Sequence, residues 1–467
     1  MRYRLILAGL LYVLIAAQPV AMGGVGVAPA GSVAASASPA APNPALAQTE
    51  DVACTERLSE SGAEDPATDR LGWENGCWYN ETVAIDSGRV TDSELQAVVS
   101  RSMARVEHIR RLEFKRDVPV TFISQQTLTE RVRNRSVSHK LRVFDNVKFE
   151  ALFLINESAD SIEVQNKNRG ASILGFYNQT IDKLVLVDGN RSNASLDEGT
   201  LAHELTHALQ DQHFNLSRPE LHGGTRDQVN AIDGVVEGSA NLVQHLYIQR
   251  RCNVPTHPWN GTCVRMAGSP GGNGSLANIG VYFLKFQPYS DGPPFVMEQR
   301  DRGGWAAVND LYSDLPASTE QVIDPAAYGH DQPTNVTLQN QPTGTWSRVK
   351  PPDRPPYASV GQAGIAAMLV YPLYESNGRV KTVTPRTWLN VTPDGDVSQF
   401  DPLNYDFPAA SGWDGDRMYV YQAADNTTAY VWRIVWDSPT DARQFLRTYT
   451  RVIQYWGGEP VRPNTFR

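Results

Sequence analysis

The stretch LAHELTHALQDQHF, residues 201–214, decides how the sequence around it is expected to fold. Ser195 precedes Glu198 by three residues, which is the spacing of a helix-starting capping box. The run 201–214 that follows has mostly uncharged residues around the motif, so a helix is predicted over residues 197–212.

Within this helix the motif H-E-x-x-H brings metal-binding chemistry into one short segment. His203 and His207 are four residues apart, so both imidazoles project from the same face. Neutral imidazoles are ligands that Zn²⁺ prefers, and the motif therefore predicts a zinc site. The adjacent Glu204 is expected to act as the general base that takes a proton from a metal-activated water.

Catalytic zinc usually has three protein ligands, and two residues compete for the third place. His213 has the ligand spacing of metzincins, but Gln210 replaces the glycine that turns the chain there, so the helix should continue past it. Glu237, on the next predicted helix, corresponds to the gluzincin arrangement and is favoured. Asp233 and Asn241 lie one turn before and after Glu237, and either could orient a ligand histidine.

Residues 203–214, together with Glu237-Gly238-x-Ala240, resemble a family of exported gluzincin-like proteins found in haloarchaea and some bacteria. The resemblance covers most of the chain after residue 50 and is strongest with the haloarchaeal surface proteins of that family. Further matching segments are GWENG (72–76), GFY (175–177), GGW (303–305), STEQ (318–321) and GDR (415–417).

The resemblance implies a zincin-like fold in which His203, His207 and Glu237 bind zinc and Glu204 is the base. Two positions depart from the family pattern. Ser239 stands where relatives often carry Asp, and Asp324 stands where relatives often carry His.

The chain as a whole is expected to have an α+β fold in two globular parts. Residues 92–335 are predicted to form a zincin-like metallopeptidase domain, with helices, a small mixed sheet and a β-hairpin within 173–187. Residues 340–467 are predicted to form a C-terminal α+β domain. A disulfide-bracketed segment, 48–91, and a signal and low-complexity region, 1–47, precede them.

The N-terminus predicts export to the cell surface or the medium. Arg2 and Arg4 precede an apolar run of 13 residues, from 5 to 17, which is typical of a signal peptide rather than a transmembrane helix. No later apolar run reaches spanning length, and the run 363–373 is expected to be a buried helix.

Cysteines and glycosylation motifs agree with export. The four cysteines fall into two close pairs, so the most economical disulfides are Cys54–Cys77 and Cys252–Cys263. Twelve N-x-[ST] motifs exceed the number expected by chance and predict a glycosylated surface.

Two functions remain in competition at this stage. The net charge of −9 argues against a nucleic-acid-binding surface, and a protein or peptide substrate is the expected partner of a zinc peptidase. The alternative is a glycosylated surface or adhesion protein that keeps the zincin scaffold with structural or lost zinc. Tyr328 and His330 are candidate oxyanion stabilisers by position alone, and the hairpin could hold an extended peptide.

Overall fold

The computed structural model describes residues 70–83, 85, 91–133, 137–170, 175–187, 197–222, 224–264, 276–340, 342, 344–352, 354–463 and 465–467. The predicted signal region, Ser195 and the Cys54 half of the Cys54–Cys77 pair lie outside these residues.

Twelve α-helices and ten strands alternate irregularly along the described part of the chain. In chain order they are β1 (Trp73–Glu74), β2 (Cys77–Trp78), α1 (Asp92–Arg110), β3 (Val120–Ile123), α2 (Gln125–Arg133), α3 (His139–Ala151), α4 (Ser161–Gly170), β4 (Gly175–Asn178), β5 (Lys183–Val187), α5 (Glu198–Phe214), α6 (Arg226–Tyr247), α7 (Ile279–Ser290), α8 (Gly292–Asp310), α9 (Thr319–Ile323), β6 (Ser347–Arg348), α10 (Gly361–Glu375), α11 (Pro385–Trp388), β7 (Trp413–Gln422), β8 (Thr428–Trp436), α12 (Pro439–Tyr455), β9 (Pro460–Arg462) and β10 (Thr465–Phe466).

The strands form small separate sheets, so the fold is mixed α and β, as predicted. One sheet has the order β3-β5-β4, in which β3 is parallel and β4 antiparallel to β5. The predicted hairpin is therefore confirmed, and β4 is an edge strand of its sheet. A second, antiparallel sheet has the order β6-β7-β8.

The motif helix α5 begins and ends where its local sequence allows. Its N-cap is Asp197, whose side chain accepts the N–H of Thr200 at 3.1 Å, and this differs from the predicted capping box. Glu198 does not reach back to the start of the helix, because its carboxylate pairs with buried arginines instead. The helix continues to Phe214, as expected from Gln210 at the position where a glycine would turn the chain.

Helix α6 lies against α5 and approaches the start of α8 unusually closely. Gly234 and Gly238, one turn apart on α6, contact the backbone of Gly292. A Cβ atom on Gly238 would lie 2.5 Å from the carbonyl carbon of Gly292, far inside van der Waals contact. The absence of side chains here lets the end of α7 come close to the middle of α6.

The largest hydrophobic cluster surrounds helix α10, which is buried along its length as the sequence predicted. It contains Phe149 and Phe283 from the region before the predicted boundary at 335–340, and Met368 and Trp413 from the region after it. Residues from both predicted domains thus share one core. Among the described residues, no helix combines the length and apolar character required to cross a bilayer.

Candidate metal centre

Helices α5 and α6 bring three potential metal ligands together. The Nε2 atoms of His203 and His207 lie 3.2 Å apart, and each is 3.3 Å from the same oxygen, Oε2 of Glu237. The side chain of His203 is 2 % exposed, that of His207 13 % and that of Glu237 20 %. The three atoms therefore form a nearly equilateral triangle.

The size of this triangle fits Zn²⁺. Zn–N and Zn–O bonds of about 2.0–2.2 Å in a tetrahedral arrangement place neighbouring ligand atoms roughly 3.3–3.5 Å apart. The observed separations of 3.2 and 3.3 Å match this spacing. Two imidazoles and one carboxylate form a donor set that suits zinc. Calcium and magnesium prefer ligand sets made of oxygen atoms alone.

The charges in the triangle call for a cation. Burial opposes the charged form of His207, but the Glu237 carboxylate outweighs it and raises the pKa of His207 to about 9. Although burial acts in the opposite direction, the two histidines hold the pKa of Glu237 well below its ordinary value. The carboxylate is thus ionised, and a positive charge beside it is favourable.

Glu204 lies beside the ligands and is held by the edge strand β4. Its Oε2 accepts the backbone N–H of Tyr177 at 2.8 Å, and burial raises the pKa of its carboxyl group. The Tyr177 hydroxyl donates to Asp211 on α5 at 2.9 Å, so strand and helix are joined on both sides of the motif. This arrangement fixes the orientation of a buried carboxyl next to the triangle.

Gln210 orients His207. Its Oε1 lies 2.9 Å from Nδ1 of His207, and its Nε2 donates to the carbonyl of Val236 on α6 at 2.9 Å. The hydrogen bond directs the other ring nitrogen, Nε2, toward Glu237. In the sequence this residue is notable only as the replacement of a glycine, and its partners become visible only when α5 and α6 pack together.

Asp233 and Asn241 do not orient the histidines in the way the sequence suggested. Nδ1 of His203 has no hydrogen-bond partner among the described residues, and neither has Nδ2 of Asn241. The influence of Asp233 is electrostatic, because burial and the charge of Glu237 raise its pKa to about 6.

Tyr289, at the end of α7, is a site residue that sequence reasoning missed. Burial, the charges of Glu237 and Asp233 and a hydrogen bond to Glu237 raise the pKa of its phenol well above the ordinary value. The contact depends on the close approach at Gly238 and Gly292. No motif in the sequence marks this residue, because it comes from a helix distant in the chain.

His213 is directed away from the triangle. Its Nε2 lies 2.7 Å from the carbonyl oxygen of Glu113, and the uninterrupted helix places it beyond the ligand face. The arrangement therefore brings Glu237 rather than His213 to the motif histidines. Of the two suggested oxyanion stabilisers, Tyr328 donates to the carbonyl of Asp314 at 2.6 Å and His330 lies exposed after α9.

The first turn of α5 carries a second buried cluster, which we call the arginine cluster: Arg101, Arg105 and Glu198. Glu198 pairs with Arg101 and, at 3.1 Å, with Arg105, and none of the three side chains is exposed. Arg105 also donates to Thr262 at 2.9 Å and to the backbone of Tyr79 at 2.8 Å.

Beside the arginine cluster the predicted disulfide Cys252–Cys263 is present, with its Cα atoms 5.9 Å apart. These cysteines lie near Glu198, but their sulfur atoms are bonded to each other and are not metal ligands. The disulfide closes the loop that follows α6.

A cavity of about 550 Å³ lies next to the triangle. Tyr289 and Asn241 line it, whereas His203, Glu204 and His207 do not, so Tyr289 stands between the cavity and the ligands. Its opposite wall is formed by residues 392–402 of the C-terminal region.

Comparison with known proteins assigns part of the chain to a family without assigning a function. Residues 347–467 match a family described as a domain of unknown function, DUF8575. No curated protein and no solved structure matches the chain. The matched residues include the second sheet and residues 392–402, which form the wall of the cavity. The candidate ligands His203, His207 and Glu237 lie outside the match.

Proposed function

We propose that this chain is an exported, zinc-dependent peptidase of gluzincin type, with His203, His207 and Glu237 as metal ligands and Glu204 as general base. The observation that carries the proposal is the triangle of ligand atoms, whose spacing and donor types fit zinc. A zincin-like fold around α5 and α6, with β4 as its edge strand, is part of the same proposal.

Zinc, when bound, would supply Lewis-acid chemistry by stabilising negative charge that develops on oxygen. Glu204 would take a proton from the attacking water and later give it to the leaving amine. Two features suit it to both steps: burial raises its pKa, and the N–H of Tyr177 fixes one of its oxygens.

The outer edge of β4 is positioned to hold an extended peptide. The N–H of Tyr177 points away from β5, toward α5, and shows that the unpaired edge of this strand faces the motif helix. A peptide added along this edge would run past Glu204. Replacing Phe176 and Tyr177 should therefore raise the KM for peptides, and an unchanged KM would argue against this part of the proposal.

The decisive experiment is metal analysis together with cleavage of unfolded casein. We expect about one zinc per chain and cleavage by the wild type. Glu204→Gln should keep the metal, because Glu204 is not a ligand, and should lose activity about a thousandfold. Zinc without activity in the wild type would instead favour the alternative, a surface or adhesion protein that retains a structural metal. Absence of zinc would contradict the peptidase proposal and would favour the form of the alternative in which zinc has been lost.

A further inference from the structure

The cavity beside Tyr289 has acidic groups at its rim and aromatic groups in its wall. Asp394 and Asp396 are exposed at the tip of a loop, and Asp197 lies at the start of α5. Arg250 is the cationic residue that lines the same cavity. Formal charges of −3 and +1 leave an excess of two negative charges.

The interior of the cavity is apolar and aromatic. Phe286, Tyr289 and Phe400 line it together with Ile248. The ring of Phe400 lies 4.5 Å from that of His245, and burial with the charge of Arg250 lowers the pKa of His245 to about 4. His245 is therefore neutral at pH 7 and does not offset the acidic rim.

The wall is supplied by the C-terminal region as a small hairpin. Bridges between Leu389 and Leu403 and between Val391 and Val397 form its stem. Its tip is closed by the N–H of Thr392, which donates to the carbonyl of Asp396 at 2.7 Å. Asp394 and Asp396 therefore project from a turn of defined geometry.

The hairpin is attached to the same helix end that carries Tyr289. The hydroxyl of Ser290 accepts the N–H of Leu403 at 3.0 Å, and Leu389 and Leu403 are buried in the core around α10. Tyr289 thus contacts Glu237, and the next residue, Ser290, contacts the hairpin that forms the cavity wall. The wall has a fixed position relative to the metal ligands.

We propose that this cavity is a specificity pocket for an arginine or lysine side chain of the peptide, with Asp394 and Asp396 as the residues that select the positive charge. The inference rests on the proposed peptidase function and assigns a role to residues 392–402. An apolar stem would lie along Phe286, Tyr289 and Phe400, and the cationic head would reach the rim.

The volume favours a whole side chain over a bare ammonium group. A cavity of about 550 Å³ is within the range of pockets that enclose extended ligands. A free peptide N-terminus shares the positive charge but has no apolar stem to fill the aromatic part. The probe peptides are therefore acetylated and amidated. A peptide with a free N-terminus and no internal cation is compared with them to test recognition of the chain end.

Binding can be tested without relying on turnover. Calorimetry with the full chain carrying Glu204→Gln would compare acetyl-Ala-Ala-Arg-Ala-Ala-amide with the same peptide containing citrulline, which keeps the shape and removes the charge. We expect the arginine peptide to bind about fivefold more tightly or better, and Asp394→Asn with Asp396→Asn to bring the ratio to about one. Asp425→Asn, an exposed aspartate in the β7–β8 turn, should leave the ratio unchanged.

Equal binding of the two peptides would overturn the pocket proposal, as would an unchanged ratio in the double variant. Tighter binding of the peptide with a free N-terminus would also overturn it, in favour of recognition of the chain end. Failure of the peptidase proposal is distinct, because it would appear as missing zinc or missing casein cleavage. The charge preference in the calorimetry does not depend on either.

Discussion

Helix α5 contacts two buried clusters of charged groups, and they differ in how completely the protein satisfies them. In the arginine cluster, both carboxylate oxygens of Glu198 have guanidinium partners, and Arg105 donates to Glu198, Thr262 and Tyr79. Nε of Arg101 has no hydrogen-bond partner among the described residues, but the carboxylate of this cluster is paired through both oxygens. In the triangle, Nδ1 of His203 has no partner among the described residues, and Glu237 Oε2 makes no regular hydrogen bond there.

The difference teaches how to separate a structural cluster from a functional one. Buried ions are costly unless they are paired, so a carboxylate that is paired through both oxygens, as Glu198 is, needs no added cation. A cluster whose ligand atoms face each other at 3.2–3.3 Å without complete pairing is stable only with an added cation or proton. The comparison predicts that mutations in the triangle change zinc affinity, whereas mutations in the arginine cluster change the free energy of unfolding.

Removal of a ligand should have the largest effect. Glu237→Ala or His207→Ala should weaken zinc binding by more than about 100-fold and reduce casein cleavage to background. Loss of a residue that only orients a ligand lowers metal affinity by about 10–100-fold, and loss of the ligand itself should lower the affinity further. Competition with a chromogenic chelator measures the affinity. His213→Ala is the matched control, and loss of zinc in that variant would reverse the assignment of the third ligand.

Glu198→Gln should break the other cluster and affect folding instead of metal binding. It leaves two buried guanidinium groups without their carboxylate, so we expect a loss of about 3–5 kcal/mol in the free energy of unfolding. Urea titration measures this loss, and zinc content should stay near one per chain. Glu298→Gln removes an exposed pair with Arg302 and should cost less than about 1 kcal/mol. A small effect at Glu198 would contradict the structural assignment.

Gln210→Ala should have an intermediate effect confined to the triangle. It removes the hydrogen bond to Nδ1 of His207 and one link between α5 and α6, so zinc affinity should fall by about tenfold. Gln210→Glu retains the acceptor and should recover most of the affinity. If alanine lowers stability without changing affinity, Gln210 acts only as a helix link.

The prediction least connected with the two clusters concerns pH and a buried carboxyl that lies outside both. Asp227 accepts the N–H and hydroxyl of Thr319, and burial raises its pKa from 3.8 to about 7. Between pH 4 and 7 the folded protein therefore binds more protons than the unfolded chain, and this residue makes stability fall as pH rises. Asp227→Asn should flatten that decline by up to about 4 kcal/mol, measured by urea titration across the window.

If the pH profile of Asp227→Asn equals that of the wild type, the decline belongs to another group. Asp301→Asn is a suitable control, because that aspartate is exposed on α8 and lies outside both clusters. Together the two variants show whether the decline in stability belongs to the buried carboxyl of Asp227.

Local sequence predicts those features that depend on neighbours in the chain. The four-residue spacing of His203 and His207 determines their common face, and the hairpin 173–187 and the buried helix at 363–373 follow from local patterns. The α+β class also follows from the alternation of helical and strand patterns.

The remaining features depend on tertiary contacts that no local pattern encodes. The hydrogen bond from Tyr177 to Glu204 requires β4 to pack on α5, and Tyr289 reaches Glu237 only because Gly238 and Gly292 have no side chains. The predicted capping residue Ser195 lies outside the described residues, whereas the N-cap of α5 is Asp197 and the carboxylate of Glu198 is paired with arginines on α1, which no local pattern predicts.

The position of Glu237 on a second helix has a consequence for the order in which the protein matures. Helix α5 alone can present two imidazoles as soon as it forms, but the third ligand arrives only when α6 has docked against it. Tight retention of the ion would therefore be a late event, after tertiary structure is complete. The rate at which a refolding sample withdraws zinc from a weak chelator would then time the docking of these two helices.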